Sequence, residues 1–122
     1  MAMMLIVEDE AVLLILAESV LQTAGYQTVS ASSQVEVQAI VDSDTQFDVL
    51  FTDLTLHDDH DAGIEIAKLV AEKRPGIPIL YTSGRELTDG LKALFVENSE
   101  FIAKPYTDKV LLEALENLLH AK

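Results

Sequence analysis

Phe47-Asp48-Val49-Leu50-Phe51-Thr52 is a short, mostly apolar run that stops at Asp53. Met3-Met4-Leu5-Ile6-Val7 is a second such run and ends in Glu8-Asp9-Glu10. Ile77-Pro78-Ile79-Leu80-Tyr81 is a third, followed by Thr82-Ser83-Gly84, and Glu100-Phe101-Ile102-Ala103 is a fourth, followed by Lys104-Pro105. Tyr26 to Ala31 is a weaker fifth. Short continuous apolar runs suit strands of a parallel sheet covered on both faces.

Helical periodicity fills the gaps. Ala11 to Ala24 is strongly apolar and stops at Gly25, a natural residue for the position just past a helix. Ser33-Gln34-Val35-Glu36 reads as a capping box that opens a second helix reaching about Val41. Ile66, Leu69, Val70 and Lys73 share one face of a third, ended by Pro75-Gly76. Leu87, Leu91, Leu94 and Phe95 predict a fourth. Leu111, Leu112, Leu115, Leu118 and Leu119 predict a fifth, with Thr107 as its cap. Strand and helix thus alternate five times, which implies an α/β fold with a parallel sheet and right-handed crossovers. The 122 residues fit one domain, 1–122, with no repeat, low-complexity tract or linker.

In open α/β sheets, ligands bind beyond the carboxyl ends of the strands. Here four separate segments bring Glu8 and Asp9, Asp53, Ser83 and Lys104 to that rim. An aspartate after a strand is most often a turn residue or a cap, so Asp53 alone carries little. Ser83 alone also reads as a helix cap, Lys104 as a solvated lysine and Phe101 as plain core. The coincidence carries the weight. Clustered carboxylates repel unless a cation intervenes, and oxygen-only ligands suit a hard cation, Mg²⁺ foremost. A carboxylate is a competent nucleophile toward phosphorus and gives an acyl phosphate. Lys104 supplies a positive charge and Ser83 a hydroxyl for the phosphoryl oxygens.

The chain has 8 Lys+Arg against 21 Asp+Glu, a formal net charge of −13. That surface repels phosphate backbones and anionic membranes, so direct nucleic-acid binding is disfavoured. There is no cysteine, which excludes disulfides and thiolate zinc sites. The first apolar run is far too short for a secretion signal, and no apolar stretch approaches the roughly 20 residues needed to span a bilayer. The reading is a cytoplasmic protein. G-x-G-x-x-G and G-x-x-x-x-G-K-[ST] are both absent, which counts against a dinucleotide or P-loop site.

At Leu5–Glu10, Asp48–Leu54, Pro78–Gly84 and Phe101–Tyr106 the sequence resembles the receiver domain of bacterial two-component response regulators. The resemblance covers essentially the whole chain. It implies a flavodoxin-like (βα)5 fold whose five-stranded parallel sheet has order 2-1-3-4-5, with helices on both faces. It implies a phosphorylation-dependent signalling switch rather than a turnover enzyme, with Asp53 as phosphoacceptor and Mg²⁺ or Mn²⁺ as cofactor. Asp9 falls at the direct metal carboxylate, Glu8 at its neighbour acting through water, and Thr55 at the position whose backbone carbonyl is a metal ligand. Ser83 falls at the switch hydroxyl, Lys104 at the phosphate-pairing lysine before a commonly cis proline, and Phe101 at the aromatic switch. Thr55 and Arg85 fall at positions that tune dephosphorylation. The implied partners are a histidine kinase or His-phosphotransfer protein and a downstream protein. The implied activated surface is that of the fourth helix, fifth strand and fifth helix, which also offers a weak dimer contact to an otherwise monomeric chain.

The sequence departs from the family pattern in places. Glu8 stands where Asp is usual. His57 replaces a common proline, and the loop to Gly63 is longer than usual. The run His57-Asp58-Asp59-His60-Asp61 reads as a solvated loop rather than a transition-metal site. His120 reads as a favourable charge at a helix C-terminus. The altered loop also leaves room for a receiver-like interaction module that is not phosphorylated.

Overall fold

The computed structural model describes residues 2–120; the remaining three residues of the expected 1–122 span lie outside them. Among the described residues ten elements alternate: β1 Met3–Val7, α1 Ala11–Thr23, β2 Gln27–Ala31, α2 Gln34–Val41, β3 Val49–Asp53, α3 Ala62–Lys73, β4 Ile79–Ser83, α4 Asp89–Lys92, β5 Ser99–Ala103 and α5 Asp108–His120. The strands form one parallel sheet in the order β2-β1-β3-β4-β5, the flavodoxin-like order expected.

Why the apolar runs are continuous is plain from the core. Leu5 and Val7 of β1, Leu50 of β3, and Ile79 and Tyr81 of β4 join the layer under α2, α3 and α4. Their alternates Met4 and Ile6, Phe51, and Leu80 join the layer under α1 and α5. Successive side chains of a strand point to opposite faces, so a sheet buried on both sides needs apolar residues at nearly every position.

Local signals set the helix ends. Gly25 has φ +99, and α1 closes on it with Tyr26 N–H donating to the Leu21 carbonyl and Gly25 N–H to the Gln22 carbonyl. This pairing satisfies carbonyls that the helix end leaves free. At α2, Ser33 Oγ accepts from Glu36 N–H at 3.2 Å. The return bond of the expected capping box is displaced by one residue: Glu36 Oε1 accepts from Ser32 N–H at 2.6 Å rather than from Ser33. Ser33→Ala removes the side-chain acceptor of the Glu36 N–H, and thermal unfolding should show a loss of about 1 kcal/mol.

The fourth helix is much shorter than its periodicity predicts. Thr88 caps it through its hydroxyl, 3.1 Å from Leu91 N–H, and regular α-structure ends at Lys92. Leu91 is buried, but Leu87 and Leu94 are 42% and 46% exposed. Gly90 weakens the helix interior, and the chain tightens as Leu94 and Phe95 N–H groups turn back to carbonyls three residues earlier. The tightening lays Phe95 flat against Tyr81, with ring centroids 4.1 Å apart.

Candidate functional site

The sheet order sets β1, β3, β4 and β5 side by side, so the residues at their carboxyl ends converge. Asp53, the last residue of β3, pairs in register with Thr82, and Lys104 N–H, just beyond β5, donates to the Ser83 carbonyl at 2.9 Å. Glu8, Asp53 and Ser83 are all buried, at 7%, 7% and 2% exposure.

Lys104 Nζ lies 2.5 Å from Asp53 Oδ2 and 3.0 Å from Glu8 Oε1. Burial pulls the lysine's pKa down, but hydrogen bonds and charge attraction from Asp53 and Glu8 outweigh it and leave the pKa raised. For Glu8, burial raises the carboxyl's pKa and outweighs the opposing pull of Lys104. The second Asp53 oxygen, Oδ1, accepts from Thr55 N–H at 3.0 Å. Both carboxylate oxygens of Asp53 therefore have fixed directions.

Glu8, Asp9 and Asp53 each present a carboxylate oxygen, all within 4.8 Å of one another. Three carboxylates face a single ammonium here, so the cluster keeps surplus negative charge. Oxygen-only donors at this spacing fit a hard divalent cation. A cleft of about 290 Å³ opens above them, walled by Asp9, Asp53, Thr55, Ser83, Arg85 and Lys104 among others.

Residues 4–116 match the family described as the response regulator receiver domain. The chain belongs to that family. Solved receivers superpose on it closely. A response regulator receiver protein from Sinorhizobium medicae is 30% identical, with a TM-score of 0.88 over 98% of this chain and 95% of that one. The chemotaxis response regulator CheY4 of Vibrio cholerae is 26% identical, with a TM-score of 0.84 over 98% and 99%. The receiver domain of the sensor histidine kinase PA1611 of Pseudomonas aeruginosa, solved with magnesium coordinated in its active-site cleft, is 18% identical, with a TM-score of 0.83 over 98% of each chain. No curated protein matches the chain.

The receiver fold brings together every rim residue singled out in the sequence: Glu8, Asp9, Asp53, Thr55, Ser83, Arg85 and Lys104. The Lys104–Pro105 peptide bond is cis. Ser83 Oγ accepts from Arg85 N–H at 2.9 Å, a turn contact that leaves its own proton available to an acceptor. Phe101 stands apart from the cleft. It is half-buried and stacks at 6.1 Å on Phe95, which itself stacks on Tyr81.

The loop after Asp53 is more ordered in its bonding than a merely solvated loop. Leu56 and Asp59 exchange two backbone hydrogen bonds, at 3.1 and 2.9 Å, around His57 and Asp58, whose φ angles are +50 and +66. Two successive left-handed residues make a tight reversed turn within the loop. His57 N–H donates to Asp9 Oδ2 at 2.8 Å, and its Nε2 lies 2.8 Å from the Ser32 carbonyl. His57 therefore ties the loop to Asp9 and to the chain entering α2, a role its sequence position did not signal. Further out, His120 pairs with Glu116 at 3.4 Å across one turn of α5.

Proposed function

We propose that this receiver is a phosphorylation-dependent switch in which Asp53 accepts a phosphoryl group from a phosphohistidine. The observation that carries the reading is the Asp53–Lys104–Glu8 cluster beside Asp9, all at one sheet edge. An Asp53 carboxylate oxygen attacks phosphorus, the P–O bond forms, and the P–N bond to the donor imidazole breaks. Lys104 moves from the carboxylate to a phosphoryl oxygen and neutralises it. Ser83 donates its free hydroxyl proton to another.

Glu8, Asp9, Asp53 and the Thr55 carbonyl would hold Mg²⁺, or Mn²⁺ in its place. When bound, the cation neutralises the surplus carboxylate charge and that of the transferred group. The magnesium carried by the Pseudomonas receiver supports this assignment. Ser83 and Phe101 are the switch pair, and Thr55 and Arg85 border the cleft where they tune loss of the phosphoryl group. The Tyr81–Phe95–Phe101 stack joins β4, the segment after α4 and β5, so movement at Ser83 has a packed route to the α4–β5–α5 face. That face is the output surface and the site of any weak dimer; otherwise the chain is a monomer. The chain assists its own phosphorylation and dephosphorylation and is not a turnover enzyme.

The donor is a histidine kinase or His-phosphotransfer protein. An apolar groove of about 450 Å³, lined by Leu13, Leu16, Val20, Pro105 and Tyr106, reaches Lys104. Leu16 is 56% exposed, and Val12 and Ile15, also on α1, are 70% and 62% exposed. A continuous apolar surface next to the acceptor suits a protein donor. Leu16→Asp should slow phosphotransfer from a cognate donor protein about tenfold or more while leaving phosphorylation by acetyl phosphate unchanged. Action in the cytoplasm through a downstream protein, without direct nucleic-acid contact, completes the proposal. No described helix is long and apolar enough to cross a membrane.

Acetyl phosphate plus Mg²⁺ should add one acid-labile phosphoryl group, and borohydride reduction followed by peptide mass spectrometry should place it on Asp53. Acid-stable phosphorylation, or a label at another residue, would sink the assignment.

A further inference from the structure

Two loops flank the acceptor cleft, one following Asp53 and one following Ser83, and a single residue holds them together. His60 Nδ1 lies 3.3 Å from Thr55 Oγ1. The His60 carbonyl accepts from Arg85 Nη1 at 2.7 Å. Arg85 in turn is anchored by its N–H to Ser83 Oγ. The backbone leading into His60 is fixed by the tight Leu56–Asp59 turn, and Asp61 N–H donates to Asp59 Oδ1 at 2.9 Å just beyond it. His60 is exposed, whereas Asp53 and Ser83 at the floor of the same cleft are buried. The imidazole thus sits at the rim, its ring held by Thr55 and the backbone that carries it by Arg85.

A phosphoryl group on Asp53 projects into this cleft. It is lost when a water oxygen bonds to phosphorus as the P–O bond to Asp53 breaks; the carboxylate is regenerated and the water's proton goes to the departing inorganic phosphate. In-line attack places that water opposite the breaking bond, on the rim side. The Asp53 end is closed by β3 itself, and Lys104 and Ser83 occupy the walls.

We propose that His60 is a positioning residue that blocks this approach: held by Thr55 and Arg85, its ring covers the rim and prolongs the life of the aspartyl phosphate. The proposal rests on reading Asp53 as the phosphoacceptor. His60 makes no bond to Asp53, and its effect runs through access of water. Arg85→Ala frees the His60 carbonyl and should act in the same direction. Because both changes break one clip, their effects should not add.

The test is the decay of phosphorylated protein at fixed pH. Parent, His60→Gly, His60→Gln, Arg85→Ala and the His60→Gly/Arg85→Ala double variant are loaded with phosphoramidate and Mg²⁺. Donor is then removed and release of inorganic phosphate followed. His60→Gly should decay about tenfold faster than the parent, equivalent to about 1.4 kcal/mol in the hydrolysis barrier. The double variant should decay no faster than His60→Gly. His60→Gln, which keeps bulk and a hydrogen-bonding group near Thr55, should decay within about twofold of the parent. That recovery separates positioning from general loosening of the loop, as do unchanged melting temperatures. Decay of His60→Gly at or below the parent rate overturns the proposal, as does Gln failing to restore it. A parent that takes up no phosphoryl group overturns the phosphoacceptor reading itself, a result distinct from loading followed by unaltered decay.

Discussion

Asp53→Asn is expected to take up no phosphoryl group from phosphoramidate, acetyl phosphate or a donor protein, while folding as the parent does. The amide lacks the anionic oxygen that attacks phosphorus, and no other carboxylate of the cluster replaces it. Glu8 is held on Lys104 and Asp9 Oδ2 accepts from the His57 N–H, so each is directed elsewhere. Folding survives for an electrostatic reason. Removing one partner of a buried ion pair ordinarily costs several kcal/mol because it strands the other charge. Here Lys104 keeps Glu8 at 3.0 Å, and one carboxylate is removed from a cluster that holds three against one ammonium. An asparagine Oδ1 still accepts from Thr55 N–H. The change in unfolding free energy should therefore stay within about 1 kcal/mol. Metal binding responds more strongly. Mg²⁺ at a hundred times its dissociation constant stabilises a folded protein by about 2.7 kcal/mol, and the variant, left with two carboxylates, should show a smaller rise in melting temperature at the same Mg²⁺. Mass spectrometry reads the first outcome and thermal melts with and without Mg²⁺ the second. The variant also separates a switch from a passive interaction module. A downstream partner that binds parent and variant equally, with and without phosphodonor, is using the fold and not the phosphorylation.

The site was legible in the sequence because it sits where the fold's periodicity breaks. Each of Glu8, Asp53, Ser83 and Lys104 stands at or just beyond the end of an apolar run, and parallel strands deliver all such ends to one edge. The acids, the hydroxyl and the ammonium could be grouped before any distance was known. The interior was legible for the same reason, since both faces of the sheet are buried and the strands stand out as unbroken apolar runs. Two features were not. Leu87, Leu91, Leu94 and Phe95 have helical spacing, but only Leu91 is buried, and the stacking of Phe95 on Tyr81 favours a tightened chain over further α-helix. Spacing records which residues are apolar, not which packing partner wins. The turn at His57-Asp58 was hidden because its left-handed residues are not glycines. With no glycine to mark it, the closeness of His57 to Asp9 and of His60 to Arg85 came only from the three-dimensional arrangement.

Gly63→Ala should damage both the fold and the site. A β-carbon at residue 63 would lie 2.2 Å from the Asp53 carbonyl oxygen, 2.6 Å from Leu54 Cα and 2.9 Å from the Asp53 carbonyl carbon. These are backbone atoms at the end of the strand that carries Asp53, so no flexible side chain can move aside. Gly63 is in the first turn of α3, and its N–H donates to the Leu54 carbonyl at 2.9 Å, which holds the helix against the strand end. Relief of the overlap requires α3 to withdraw or the Asp53–Leu54 peptide to move, and either loosens that bond. Overpacking of a well-filled interior costs about 1–3 kcal/mol, and a clash with rigid backbone belongs at the upper end. Chemical denaturation should thus show a loss of about 3 kcal/mol. Displacement of the Asp53 backbone also turns the carboxylate from Lys104 and the Thr55 N–H, so phosphorylation by small donors should slow in protein that remains folded. Gly90→Ala is the internal control. Its added carbon meets only Thr88 Oγ1 at 3.9 Å, and in α4 alanine is the better helix former, so stability should hold or rise by up to about 1 kcal/mol. If both variants behave alike, the sensitivity belongs to glycine replacement in general. If only Gly63→Ala loses stability and phosphorylation together, the close approach of α3 to β3 is what sets the position of Asp53.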